Sequence, residues 1–240
     1  LYEDGLPKHG FDTVLEKSQY KLFRKKHNTP IEKGIETYGK KSNIDIAERY
    51  NCRQLPSPCY DQECEGTWLA NEAVNFMKTQ VKHDQQFFLW LAFHEPHVPF
   101  SFPIEYRDNY DPSMIALPEG SQEDDRWVPE IFRDLTDDEK KGIIASYYTS
   151  VEYMDKNVGI VLDAINTLDL DENTIVVYLS DHGYLLNDHK RFEKHTMWDE
   201  AVTAPLMIKA PDLTPAVIEE PVEFVDLVPT LLEGAHIDQL

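Results

Sequence analysis

Apolar residues along this chain of 240 residues follow a helical period in two long stretches. The first begins at Thr67, and the second follows Thr136 and continues to about residue 165, with apolar side chains recurring every three or four positions. Thr136 and Glu139 have the spacing of a capping box, which fixes the start of a helix. The pattern therefore predicts two amphipathic helices, and a shorter apolar segment at 225–232 predicts another helix.

Short, uninterrupted apolar runs occupy residues 86–93, 174–180 and 205–209. Runs of this length that are apolar on both faces are typical of strands buried in a parallel sheet. Because they alternate with the helices, the sequence predicts an α/β fold with a mainly parallel sheet sandwiched by helices.

Two segments outside these elements are rich in turn-forming residues. Residues 1–66 contain a basic cluster at 17–26, which we interpret as one face of a surface helix, with contact to an anionic substrate as the less favoured alternative. Residues 94–135 form a long, acidic connection with six prolines. A connection of this length inside a compact domain is usually functional or a lid.

The composition excludes some classes of partner. With 44 acidic and 23 basic residues the net charge is −21, so binding to nucleic acid through phosphate neutralisation is not expected. No apolar run reaches the roughly 18 residues that a transmembrane helix needs, so no membrane span is expected.

Three cysteines, Cys52, Cys59 and Cys64, fall within thirteen residues. An odd number leaves at least one thiol unpaired within the chain. We favour either one local disulfide with a free thiol, or three reduced thiols, over a zinc site, which would need a fourth ligand.

Polar side chains follow two of the predicted strands. Asp181 and His182 come directly after the strand at 174–180, and Lys194 lies thirteen residues beyond Asp181. His94 and His97 follow the strand at 86–93. Ligands and catalytic groups collect at the carboxyl ends of strands in open α/β sheets. The sequence therefore predicts one site assembled from both loops, which is the layout of an enzyme more than of a binding module.

The order of these motifs resembles the sulfatase family of the alkaline-phosphatase-like superfamily, in particular its iduronate-2-sulfatase-like and bacterial members. The resemblance covers about two thirds of the chain. The segments that carry it are Gly10-Phe11-Asp12, residues 87–100, residues 147–155, Ser180-Asp181-His182-Gly183, Lys194-His195-Thr196, residues 204–208 and residues 225–231.

The resemblance implies a role for each candidate residue. Asp181 and His182 match a pair of metal ligands, usually for Ca²⁺, although the imidazole nitrogen leaves Mn²⁺ and Zn²⁺ open. His97 matches a catalytic histidine that protonates the leaving oxygen, and Lys194 matches a catalytic lysine that bridges a sulfate oxygen and the leaving group. His94 and His195 are assigned to substrate contact.

The family's Cys/Ser-x-Pro-x-Arg segment, whose first residue matures to the formylglycine nucleophile, does not occur in residues 1–240, and neither does the upstream acidic pair of metal ligands. We therefore interpret residues 1–240 as a partial sulfatase catalytic domain that lacks the N-terminal nucleophile region and the C-terminal subdomain, and we expect this fragment alone to be inactive. The resemblance further implies a sulfated small molecule or glycan as substrate. It also implies a formylglycine-generating maturation enzyme as partner and a secreted, periplasmic or lysosomal location.

Two other functions stay open at this point. A phosphodiesterase or phosphonate monoester hydrolase of the same superfamily could also use an Asp–His metal pair. A catalytically inactive homologue that binds sulfated glycans could keep His97 and Lys194 for contact with the anion. The ratio of activities on sulfate and phosphate esters would distinguish the first of these from a sulfatase, and a full-length gene without the Cys/Ser-x-Pro-x-Arg segment would indicate the second.

Overall fold

The structure is a computed structural model that describes residues 10–39, 45–211 and 213–237. Its helices and strands are, in chain order, α1 (Lys17–Lys26), α2 (Ile46–Arg49), α3 (Glu65–Lys82), α4 (Glu130–Arg133), α5 (Asp137–Thr167), β1 (Val176–Leu179), β2 (Leu185–Leu186), β3 (Phe192–Glu193), α6 (Asp199–Val202), β4 (Leu206–Lys209) and α7 (Leu227–Gly234). Short 3₁₀ turns connect several of these elements.

The predicted helices are confirmed. α5 begins at the capping box formed by Thr136 and Glu139, whose side chains each bond the other residue's backbone N–H. α3 packs along α5, and the contact closes around Met77, Ala164, Ile165 and Leu170. The basic cluster at 17–26 forms α1. This helix packs on α3 through Tyr20, whose ring centroid lies 5.5 Å from that of Trp68. The interpretation of this segment as a surface helix is therefore confirmed.

A second core lies between α2, α5 and the loop after residue 97. Its buried members are largely aromatic and include Tyr50, Phe100, Phe132 and Phe192, packed against Ile143 and Ile144 of α5. Phe192 belongs to β3, so this core also supports the segment that leads to Lys194.

A polar network joins α3 and α5 at their other end. The ammonium of Lys156 donates to Asp61 Oδ1 at 2.5 Å, to Thr67 Oγ1 at 2.8 Å and to Asn157 Oδ1 at 2.9 Å. The Cys59–Cys64 disulfide lies beside this network, and Cys52 is a free thiol. One local disulfide with one free thiol was among the two arrangements that the sequence favoured.

The prediction of a mainly parallel sheet sandwiched by helices is not confirmed, because both sheets that the described residues form are two-stranded and antiparallel. β1 pairs with β4, with Val176 opposite Lys209, and β2 pairs with β3. Residues 86–93 form no strand, and Phe88 and Trp90 are 63% and 68% exposed. An apolar run indicates that a segment tends to be buried, but it does not determine whether the neighbouring strand runs parallel or antiparallel to it.

Among the helices described, none is long and apolar enough to cross a lipid bilayer.

Candidate active site

The loop after β1 presents His182 in a defined tautomer. Its Nδ1 lies 2.7 Å from the carbonyl oxygen of Gly183, which can only accept, so Nδ1 carries the proton. The lone pair is therefore on Nε2. That atom lies 2.5 Å from the ammonium nitrogen of Lys194 and 3.3 Å from Oδ1 of Asp181. Asp181, His182 and Lys194, which the sequence assigned to one site, are brought together.

Gly183 holds this loop against α6. Its N–H donates to the carbonyl oxygen of Ala201 at 3.0 Å. A Cβ atom at Gly183 would lie 2.1 Å from the carbonyl oxygen of Glu200 and 2.4 Å from that of Thr203. Only glycine fits this approach, so the position of the Asp181–His182 pair depends on it.

The Asp181–His182 pair has the chemistry of half a metal site. Histidines that bind metals generally donate their other ring N–H to a carbonyl or carboxylate, and His182 does so through Nδ1. The carboxylate of Asp181, 85% exposed, offers oxygen donors beside Nε2, whose lone pair faces the Lys194 ammonium at 2.5 Å. Within the described ranges no group of three or more histidine, cysteine, aspartate or glutamate side chains could hold a metal. The pair fits a divalent cation whose further ligands would come from elsewhere.

Lys194 is fixed from the preceding side. Glu193 has a left-handed backbone with φ of +81°, and its carboxylate accepts a hydrogen bond from the hydroxyl of Tyr50. Among the described residues no carboxylate lies within 4.0 Å of the Lys194 ammonium. The charge of Lys194 is therefore not neutralised by an ion pair there. His195, the next residue, has an exposed side chain, as a substrate contact requires.

The second loop carries the two other histidines. The rings of His94 and His97 lie 4.9 Å apart between centroids, and both residues are exposed. His97 Nδ1 lies 2.9 Å from the carbonyl oxygen of Val98, so this nitrogen also carries a proton. Partial burial lowers the pKa of His94, and the neighbouring His97 and Lys17 lower it further. This loop therefore presents two imidazole rings at the surface, and the lowered pKa of His94 favours its neutral form.

Between these histidines, Glu95 turns inward. Burial raises the pKa of its carboxyl to about 7, and its Oε2 is buried with no hydrogen-bond partner in the part of the chain described. The sequence pointed to the loop but gave Glu95 no role, because its neighbours are polar and nothing in the local pattern distinguishes a glutamate that faces inward.

The two loops meet at an aromatic cluster. Phe100, three residues after His97, lies 6.1 Å from Tyr184, two residues after His182, and 5.4 Å from Tyr147 of α5. The rings of Tyr147 and Tyr184 are stacked 5.6 Å apart. The loops are thus joined through packing, whereas the described residues show no hydrogen bond or ring contact between His97 and Lys194. A single site built from both loops remains a prediction.

Part of the long connection predicted as functional is fastened to the loop that leads to Lys194. Asn187 Nδ2 donates to the carbonyl oxygen of Pro118 at 3.3 Å. His189 Nδ1 lies 3.0 Å from Asp124 Oδ1, and the ammonium of Lys190 lies 2.6 Å from Asp125 Oδ1. The segment 118–127 therefore covers residues 187–191 through specific polar contacts.

Comparison with known proteins decides the family. A family model described as "Sulfatase" matches residues 2–237. The chain belongs to the sulfatase family. A sulfatase of Formosa agariphila is 35% identical over 179 residues, which cover 68% of this chain and 35% of that protein. The uncharacterized sulfatase YidJ of Escherichia coli is 31% identical over 184 residues, covering 72% and 37%. Iduronate 2-sulfatase of Mus musculus is 30% identical over 164 residues, covering 60% and 30%.

Solved structures agree on the fold of this sulfatase chain. Phosphonate monoester hydrolase SpPMH from Silicibacter pomeroyi superposes with a TM-score of 0.74 at 24% identity, covering 92% of this chain and 47% of that one. The yidJ protein of Bacteroides fragilis gives a TM-score of 0.54 at 25% identity, covering 70% and 36%. These neighbours are consistent with an alkaline-phosphatase-like α/β fold. The chain spans about a third of the length of the curated relatives named above.

Proposed function

We propose that the protein to which this chain belongs hydrolyses a sulfate monoester on a small molecule or glycan, with Lys194, His97, Asp181 and His182 acting at the ester. One observation carries the proposal: the Lys194 ammonium and the Asp181 carboxylate both face Nε2 of His182, at 2.5 Å and 3.3 Å. A cation without a carboxylate partner and a pair of metal donors thus converge on one point.

Lys194 supplies charge where the reaction needs it. As the bond from sulfur to the bridging oxygen breaks, negative charge moves onto that oxygen. A fixed ammonium directed at this oxygen stabilises the transition state more than the ground state. Since no carboxylate within 4.0 Å neutralises Lys194 among the described residues, its field is available to an anion.

His97 is suited to protonate the leaving oxygen. Its Nδ1 proton is committed to the carbonyl oxygen of Val98, so a second proton on the imidazolium resides on Nε2, the other ring nitrogen. The exposed ring leaves this proton accessible to the ester. A general acid in such a position typically contributes about 10²- to 10⁴-fold to the rate.

Asp181 and His182 would hold a divalent cation, with Ca²⁺ as the family's usual ion and Mn²⁺ or Zn²⁺ suited to the imidazole nitrogen. Such an ion supplies positive charge to the sulfate oxygens. The family's nucleophile is formylglycine, which a maturation enzyme would generate in a segment that residues 1–240 do not contain. We further propose a secreted, periplasmic or lysosomal location, as for the family.

Cation binding tests the metal pair. Titration of the 240-residue chain with Ca²⁺ and with Mn²⁺ should show binding that Asp181→Asn weakens, whereas Asp138→Asn, at an exposed position of α5, should leave it unchanged. Equal affinity in the chain and in Asp181→Asn would contradict the assignment.

Turnover of an aryl sulfate tests the catalytic residues. The 240-residue chain alone should show none. In a longer protein that carries the formylglycine segment, Lys194→Ala and His97→Ala should each lower kcat by about 100-fold or more. Lys209→Ala, which removes an exposed cation paired with Asp171, is the matched control. Robust turnover that survives both site substitutions would contradict the proposal.

The same assay decides between the sulfatase and its alternatives. Fold similarity to phosphonate monoester hydrolases makes an aryl phosphonate and an aryl phosphate the necessary comparison substrates. A preference for the phosphorus esters would favour that class of hydrolase. Binding of sulfated glycans without turnover in the longer protein would instead indicate an inactive homologue.

A further inference from the structure

Arg191 is a buried cation without a carboxylate partner. The residue is 8% exposed, and burial lowers the pKa of its guanidinium. Arg24, Arg53 and Arg126 each pair with a glutamate, whereas no carboxylate lies within 4.0 Å of Arg191 among the described residues. Its Nε is buried and has no hydrogen-bond partner there. A guanidinium in this state costs more free energy to bury than an apolar side chain of the same length.

The guanidinium bonds two separate segments. Nη1 donates to the carbonyl oxygen of Trp127 at 3.3 Å, and Nη2 lies 3.5 Å from the carbonyl oxygen of His195. Its carbon lies 5.7 Å from the centre of the Trp198 ring, which is itself stacked on His189 at 4.0 Å. A methionine could fill this space, but only a planar fork of donors can reach both carbonyls at once.

These bonds lie next to Lys194. Arg191 bonds the backbone carbonyl of the residue that follows Lys194. The residue that precedes it, Glu193, pairs with Leu185 between β2 and β3 and accepts a hydrogen bond from Tyr50 through its side chain. The backbone on both sides of Lys194 is therefore held, which determines where its long and flexible side chain can place the ammonium. An ammonium displaced by about 1 Å from its productive position loses much of its effect on the reacting atoms.

We propose that Arg191 is a positioning residue, whose two terminal nitrogens hold the carbonyls of Trp127 and His195 so that the Lys194 ammonium stays beside His182. This role rests on the function proposed above for Lys194. The Trp127 carbonyl is one of the two oxygens that accept from the guanidinium, so the segment 118–127 also helps to position the Lys194 ammonium.

The test compares Arg191→Met and Arg191→Lys with Arg126→Met, an exposed arginine of the covering segment. Two readouts are taken on the 240-residue chain: the backbone amide resonances of Lys194, His195 and Thr196, and the affinity for inorganic sulfate. Both Arg191 variants should shift the three resonances and weaken sulfate binding by about fivefold or more. Arg126→Met should change neither. Lysine should not restore the wild-type values, because one ammonium cannot span both carbonyls.

Each other outcome overturns the proposal. Full restoration by Arg191→Lys would show that charge alone matters. A lower thermal stability with unchanged resonances and sulfate affinity would show a purely structural role. Should Arg191→Met fail to fold, Arg191→Gln keeps one donor and must shift the same resonances. If the unaltered chain does not bind sulfate, the proposed function loses support, while the resonances still decide the role of Arg191.

Discussion

Replacing Glu95 by glutamine should remove a pH dependence from the stability of the chain. The carboxyl group is oriented inward between His94 and His97, and its Oε2 is buried with no hydrogen-bond partner among the described residues. Its pKa is raised from 4.5 to about 7: burial is the main cause and Glu65 adds to it, whereas its own backbone and Lys17 act in the opposite direction. Glutamine keeps the shape and the polarity of the protonated acid but cannot ionise.

The sign follows from proton binding. Between pH 4.5 and about pH 7 the folded chain holds a proton at Glu95 that the unfolded chain has released, so the free energy of unfolding falls as the pH rises through this window. The difference in pKa corresponds to at most about 3.4 kcal/mol above pH 7. Since Glu95 retains some contact with solvent, we expect about 2 kcal/mol. Below pH 4.5 the carboxyl is protonated in both states, so its ionisation contributes nothing to the free energy of unfolding.

Urea unfolding at pH 4.5 and at pH 8.5 measures this difference. Glu95→Gln should match the unaltered chain at the lower pH and be more stable by about 2 kcal/mol at the higher pH. Comparison between variants cancels the titration of other groups. Glu172→Gln, at an exposed position, should leave both values unchanged. An equal effect of Glu95→Gln at the two pH values would refute the reasoning, because it would mean that the carboxyl ionises alike in both states.

Three further changes are predicted from packing and covalent structure. Gly183→Ala should displace the Asp181–His182 loop, because its Cβ would lie 2.1 Å from a carbonyl oxygen, and calorimetry should show weaker Ca²⁺ binding. Lys156→Met should lower the free energy of unfolding by about 1–3 kcal/mol in urea, since it leaves Asp61 and buried neighbours without their donor. Replacing both Cys59 and Cys64 by serine should cost about 2 kcal/mol by the loop-closure argument, measured against the disulfide-bonded chain.

The helices could be predicted from the sequence because their determinants are local. The period of α5 and the capping box at Thr136 are contained within the helix itself. The direction of the strands could not be predicted in this way. β1 and β4 are both short apolar runs, and their antiparallel pairing depends on how the 26 residues between them return the chain. Residues 86–93 show the same limit, because an apolar run is a strand only where its backbone is hydrogen-bonded to a neighbouring strand.

The proximity of Asp181, His182 and Lys194 could also be predicted, because two of them follow one strand and the third lies on the return to the next. The inward orientation of Glu95 and the burial of Arg191 could not. Both are charged residues among polar neighbours, for which exposure is the ordinary expectation. Their burial is determined by contacts with distant segments, such as the bond from Arg191 to Trp127.

The basic segment at 189–195 shows why charge must be followed to its partners. Its five basic side chains stand out in a chain of net charge −21. His189 bonds Asp124, and the ammonium of Lys190 pairs with Asp125, so the covering segment neutralises the charge of Lys190. Arg191 and Lys194 are left without such a partner among the described residues. Arg191 is buried and bonded to two carbonyl oxygens, so among the lysine and arginine side chains of 189–195 it is Lys194 that can attract an approaching anion.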